Sequence, residues 1–222
     1  SNYIPWKGYF DLIAHVHEFI IYDDMQFTKR DWRNRNKIKT PNGLQWLSVP
    51  VLSKGKFHQQ INQTKLDGSK WQKDHWNSIT KNYSRAPFFE EISNWLRPLY
   101  LEKDYIFLSS LNLTFIEAIC SHLNIKTKII SSSNYKLIGD KTEKLANLCK
   151  QADATDYVSG PAAQDYIDTE VFKSFGIKIN WFDYSEYNEY PQLWGGFTHE
   201  VSILDLLFNC GSGSPLYMKY VK

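Results

Sequence analysis

The chain has 222 residues, 42% of them hydrophobic, which suffices for a substantial core and is too apolar for a disordered segment. Its 26 basic and 24 acidic side chains leave a formal charge of +2, too balanced for a general nucleic-acid or membrane-surface binder. No apolar run reaches the roughly 18 residues of a transmembrane helix, so no membrane insertion is expected.

The first residues form a turn, Ile4-Pro5-Trp6-Lys7-Gly8, which reads as though an element preceded it. Residues 9–17 fit a short helix, with Phe10, Leu12, Ile13 and Val16 at helical spacing. Residues 18–22 (EFIIY) fit a buried strand that delivers Asp23-Asp24 at its carboxyl end. The polar stretch 26–40 has no clear period. Pro41-Asn42-Gly43 is a strong turn signal, and 44–52 alternates, so a β-hairpin is expected around that turn. A further strand is read at 59–66.

Helices follow at 70–83, 88–99 and 105–123, the first two separated by Arg85-Ala86-Pro87. Then come a strand at 127–131, a helix at 141–151, a strand at 156–159, a helix at 162–175 and a strand at 177–182. Gly176 suits the end of a helix. Residues 183–196 read as a loop, and a last helix spans 202–209, ended by Gly211. Strands alternating with helices predict an α/β fold: a Rossmann-like, mostly parallel sheet with a helical insertion near 68–123 and a β-hairpin, in one domain over 1–222.

Several residues could carry chemistry. Asp23 and Asp24 face opposite ways if the strand continues, but share a cleft if it stops at Tyr22. There a carboxylate could act as general base; equally, the pair could cap a turn or pair with Arg30, Arg33 or Arg35. Lys29, Arg30, Arg33, Arg35, Lys37 and Lys39 fall within eleven positions, interleaved with Asn34 and Asn36 and near Phe27 and Trp32. That set suits a nucleotide-sugar diphosphate with an aromatic surface for a ring, or a solvated charged hairpin. His75 is a candidate acid–base group or a half-exposed helical histidine. Ser159-Gly160-Pro161 follows a strand and precedes a helix, a geometry that can hold an anion, although no GxGxxG or GxxxxGK[ST] motif occurs.

His199-Glu200 is a weak metal pair, and no metal site is expected. Glu200 and Ser202 suit the start of the last helix. Cys120, Cys149 and Cys210 are widely spaced, with no CxxC, so reduced thiols in a cytoplasm fit best. Cys210 is an inert buried thiol or, near a histidine, an acyl-carrying nucleophile.

Asn2-Tyr3-Ile4-Pro5-Trp6-Lys7-Gly8-Tyr9-Phe10 and the run Tyr22-Asp23-Asp24-Met25-Gln26-Phe27 through Asn36 resemble the WbqC-like family. So do Trp46-Leu47-Ser48-Val49-Pro50-Val51, the stretch from His75 through Tyr83 to Phe89, and Ser202-Ile203-Leu204-Asp205-Leu206-Leu207-Phe208-Asn209. Members usually begin with a short strand ending in Gln-Pro, and Ser1 stands at that proline's position. The resemblance implies a role in bacterial O-antigen (lipopolysaccharide) biosynthesis. It further implies an acyl or aminoacyl transferase, a glycine transferase being one proposed role, that acts on an amino sugar or nucleotide-linked sugar. The alternative is a non-catalytic nucleotide-sugar-binding or scaffold protein.

On that footing the catalytic candidates are Asp23, Asp24 and His75. The substrate-binding candidates are Tyr3, Trp6, Tyr9, Gln26, Lys29, Arg30, Trp32, Asn34, Arg35, Asn36, Tyr83, Ser159 and Gly160. The expected partners are a small-molecule or nucleotide-sugar substrate and an acyl carrier or aminoacyl donor, with no nucleic acid; no cofactor is specified. The opening also looks similar to nucleotidylyltransferases with a HIGH-type motif, but Tyr9 stands where they carry a phosphate-binding histidine.

Overall fold

The computed structural model describes residues 1–222. The first helix, α1 (Lys7–His15), starts two residues before the apolar pattern, directly after Pro5-Trp6, and buries Phe10, Asp11 and Ile13. Strand β1 (Glu18–Ile21) follows. Then β2 (Arg35–Thr40) and β3 (Gly43–Ser48) form the expected hairpin, in antiparallel register from Arg35↔Ser48 to Thr40↔Gly43. Gly43 closes it at φ +96°, a conformation that glycine adopts without steric cost.

The next three helices are α2 (Lys70–Tyr83), α3 (Phe89–Leu101) and α4 (Leu108–His122). Strand β4 (Lys128–Ser131) pairs in parallel with β1, from Glu18↔Lys128 to Ile21↔Ser131. Helix α5 (Lys141–Gln151) is started by Asp140, which accepts from the N–H groups of Thr142 and Glu143. Strand β5 (Asp156–Ser159), helix α6 (Thr169–Ser174) and strand β6 (Lys178–Trp181) complete a second parallel pair. The last helix is α7 (Ile203–Cys210); Ser202 caps it by accepting from Leu204 N–H at 3.2 Å.

The α/β class therefore holds, as two short parallel pairs and one antiparallel hairpin. These are three separate two-stranded sheets, not one continuous sheet, so the Rossmann-like description holds only loosely.

Two elements differ from expectation. Residues 59–66 form no strand but a 3-10 turn at Ile61–Gln63. Their backbone bonds go to several separate segments: Ile61 N–H to Met25, Asn62 N–H to Asp23 and Leu66 N–H to Ile106. The helix expected at 162–175 is a 3-10 turn at Pro161–Asp165 followed by α6. Asp168 restarts it by accepting from Glu170 N–H at 3.0 Å.

A core of 35 buried residues joins α1, the inner face of the hairpin, α2, α3, α4 and α7. All eight residues of α7 are buried, which explains its nearly unbroken apolar sequence. Six more residues, among them Ala146, Ala163 and Phe172, form a second cluster under β5 and β6.

One carboxylate lies inside the large core. Asp205 accepts from Tyr83 Oη at 2.7 Å, Tyr190 Oη at 2.9 Å and Gln192 Nε2 at 2.7 Å. These donors satisfy a group that burial would otherwise penalise. Burial still dominates and raises its pKa above the usual aspartate value.

Residues near the end of the sequence hold those near its start. Asp11 accepts from the backbone N–H groups of Lys219, Tyr220 and Val221. Ile203 N–H reaches the Pro5 carbonyl and Ser202 N–H the Lys37 carbonyl, both at 2.9 Å.

Candidate functional site

Strand β1 ends at Ile21, before the two aspartates, so alternation does not force them apart. Asp23 turns to the hydroxyl of Ser1 and to the Ser109 hydroxyl at the start of α4. Asn112 braces this group, donating to Ser1 Oγ at 3.1 Å and to the Arg33 carbonyl at 2.9 Å. Asp24 turns to Ser132, just past β4, and to Asn62 Nδ2 at 3.1 Å. The two carboxylates thus lie at the adjoining carboxyl ends of a parallel pair. Burial acts to raise the Asp23 pKa, and hydrogen bonds from the Ser1 and Ser109 hydroxyls act against it.

Neither aspartate forms an ion pair with the basic run. Arg33 instead donates to Asn2 Oδ1 at 2.8 Å and the Ser1 carbonyl at 3.3 Å, and lies 3.8 Å from Asp31. The Tyr9 phenol completes this corner. Burial, and then the charge of Asp23, push its pKa upward, with Arg33 opposing.

Trp6 packs its indole on Tyr184 and Tyr187, with ring centres 5.4 Å apart in each case. Gly8 makes room for that indole, because a Cβ there would overlap it. Tyr184 in turn lies against Gly160, at the carboxyl end of β5. Ser159 is half-buried beside it, and its carbonyl accepts from Phe182 N–H at 2.8 Å. Trp6 and Tyr184 therefore link the turn before α1 to the β5–β6 end.

The other candidates lie elsewhere. Tyr3 is fully buried, its hydroxyl between His75 Nδ1 at 2.8 Å and Tyr100 Oη at 2.7 Å. His75 is buried in the same aromatic cluster, with Nε2 3.2 Å from the Ser48 carbonyl. Burial pushes its pKa down to about 4, so it is neutral at pH 7. Tyr83 belongs to the Asp205 network and accepts from Lys39 N–H. These three side chains are core groups.

The polar run divides by strand parity. Asn36 points inward and donates to the carbonyls of Tyr3 at 3.2 Å and Ile4 at 2.9 Å. It thereby clamps a segment in which Ile4 sits at φ +36°, a strained value for a β-branched residue. Asn34 binds the Val49 carbonyl, and Gln26 the Phe57 carbonyl. Lys29, Arg30 and Trp32 are exposed, and Arg35 points outward over Trp46.

Sequence reasoning passed over Ser109, Asn112, Ser132 and Tyr184. Only the Ser131-Ser132-Ser133 run at a strand end carried a local signal. It also passed over Lys7, which is buried with Nζ 2.9 Å from the Asn188 carbonyl and 4.9 and 5.1 Å from the ring centres of Tyr187 and Tyr190. Burial pushes its pKa down to about 8. Glu200 pairs with Lys37 at 2.7 Å. The Cys210 thiol is buried and pushed up to about 11, which keeps it protonated at neutral pH. No helix is long and apolar enough to cross a membrane.

Among known proteins, the WbqC-like protein family matches residues 1–216. An uncharacterized protein of Mycobacterium tuberculosis (strain ATCC 25618 / H37Rv) is 59% identical over 222 residues, covering 100% of this chain and 96% of that protein. No solved structure matches.

Proposed function

The chain belongs to the WbqC-like protein family, and from that premise we propose that it is an enzyme of bacterial surface-polysaccharide assembly. It transfers an aminoacyl or acyl group, glycine being the simplest, to the amine of a nucleotide-linked sugar. The observation that carries this reading is the pairing of Asp23 and Asp24 at the carboxyl ends of β1 and β4, where parallel α/β sheets bind ligands.

Asp24 is the better base. It is only half-buried and is oriented by Asn62 and Ser132, whereas Asp23 is buried and acts by holding Ser1 and Ser109. The sugar amine attacks the acyl carbon, Asp24 takes the proton that the amine loses, and the donor's leaving group departs with the electron pair of the broken bond. Arg33 suits the diphosphate, and the Trp6 indole offers a ring a face. An acyl carrier or aminoacyl donor supplies the group.

Calorimetry with a uridine-diphosphate amino sugar tests binding, and Asp24→Asn tests the chemistry. The expected result is retained binding and an unchanged melting temperature, with turnover down by about 100-fold or more. Absence of binding by the unmodified protein refutes the proposal. One observation favours a non-catalytic binding or scaffold role: protein donors already occupy both carboxylates. That reading requires binding, with unchanged glycan product in the Asp23→Asn, Asp24→Asn double variant.

A further inference from the structure

We propose that the outward face of the β2–β3 hairpin is a stacking platform for an anionic oligosaccharide, the extended part of a glycan. Its choice of occupant rests on the surface-polysaccharide reading above. Trp32 and Trp46 are 45% and 39% exposed, with ring centres 5.4 Å apart and planes inclined by 39°. Strand register fixes what flanks them. Lys37 lies directly opposite Trp46, and Arg35 is two positions along the same face. The Arg35 guanidinium carbon lies 4.1 Å from the Trp46 ring centre; Lys37 Nζ lies 5.2 Å from the Trp46 centre and 6.0 Å from that of Trp32. Arg35 lies over part of the Trp46 ring and helps to hold it, while both indoles keep substantial exposed surface.

Arg35 bonds to the Arg30 carbonyl, and its Nε has no partner. Lys37 pairs with Glu200, and Asp31 accepts from Trp32 N–H at 2.7 Å and lies 3.8 Å from Arg33, so Arg33, Arg35 and Lys37 outnumber the two carboxylates. The face therefore offers ring surface, hydrogen-bond donors and a modest positive excess.

An anionic sugar fits that combination. Saccharide rings present C–H faces to indoles, and rings joined through glycosidic oxygens are inclined to one another, as these two indole planes are. Stacked nucleobases lie parallel, and their polyanionic backbone calls for a broad basic surface that a chain of +2 lacks. A second copy of the chain would need about 800 Å² per partner, much more than two indoles ringed by charged groups.

The test is an NMR titration of the indole N–H signals with tetragalacturonic acid and with neutral cellotetraose. The unmodified protein, Trp46→Ala and Arg35→Gln are compared, and melting temperatures confirm that the variants fold. Tetragalacturonate should move the Trp32 and Trp46 signals. Trp46→Ala should weaken binding by about tenfold, and Arg35→Gln should abolish the preference for the anion over cellotetraose. The platform is overturned if neither sugar moves those signals. It is equally overturned if only oligo-deoxythymidylate moves them, or if they change with protein concentration and not with sugar. Nucleotide-sugar calorimetry on the unmodified protein keeps the two claims apart. Failure there removes the transferase, whereas an oligosaccharide response on Trp32 and Trp46 still sustains the platform.

Discussion

Substituting His75 by glutamine tests whether the one strongly perturbed histidine of the aromatic core is structural. Its partners fix its tautomer. The Ser48 carbonyl only accepts, so Nε2 carries the proton. Nδ1 then accepts from the Tyr3 hydroxyl, whose oxygen accepts from Tyr100. Protonation would turn Nδ1 into a donor and bury a charge among Trp71, Tyr3 and Tyr100. Burial therefore depresses the pKa from 6.5 to about 4, opposed by Ser48 and Asp74.

As pH falls, the unfolded chain takes the proton first. The stability contributed by neutral His75 is complete above pH 6.5, erodes below it and is lost by about pH 4. A separation of about 2.5 pH units corresponds to about 3 kcal/mol. Glutamine keeps a donor for Ser48 and cannot titrate. Urea unfolding at pH 7 and pH 4 should show the unmodified protein losing about 3 kcal/mol more than His75→Gln. The depressed His122 and His199 are common to both proteins and cancel. An identical pH dependence in the two proteins would refute the buried-neutral assignment and reopen acid–base chemistry for His75.

Gly8→Ala should displace the Trp6 indole, weakening nucleotide-sugar binding about tenfold by calorimetry while the melting temperature stays close to its original value. Asp205→Ala strands the donors of Tyr83, Tyr190 and Gln192 in the core, and should lower unfolding free energy in urea by about 3–5 kcal/mol. Asp11→Ala should cost about 1–3 kcal/mol and speed amide hydrogen exchange most at Lys219, Tyr220 and Val221.

Local pattern sufficed wherever the controlling physics was local. The turn at Pro41-Asn42, the extent of α2 and the Ser202 cap each depend on residues within a few positions. So did the delivery of Asp23 and Asp24 at a strand end. Their partners were not readable, because Ser109 and Ser132 lie 86 and 108 positions away. Residues 59–66 failed as a strand because their N–H groups find acceptors on other segments.

The Arg/Asn run looked uniform in sequence. Register alone turned Asn36 inward and Arg35 outward. Tyr3, His75 and Tyr83 combine an apolar body with a polar tip. That combination serves a cleft or a hydrogen-bonded core equally well, and here it serves the core.

The bonds from Asp11 to residues 219–221, and from Pro5 and Lys37 to α7, bear on how the molecule is made. The segment that carries Trp6, Tyr9 and the aspartates is synthesised about 200 positions ahead of its anchors. Until residues 202–221 emerge, α1 and the hairpin have no α7 to dock on, and the Asp11 carboxyl oxygens lack their backbone N–H partners. Contacts spanning about 200 positions also predict slow closure, because the loop entropy is lost before any contact compensates. A stop codon anywhere between positions 202 and 221 would therefore disable the segment around Trp6, Tyr9 and the aspartates, and a nascent chain would expose that apolar segment until residues 202–221 have emerged.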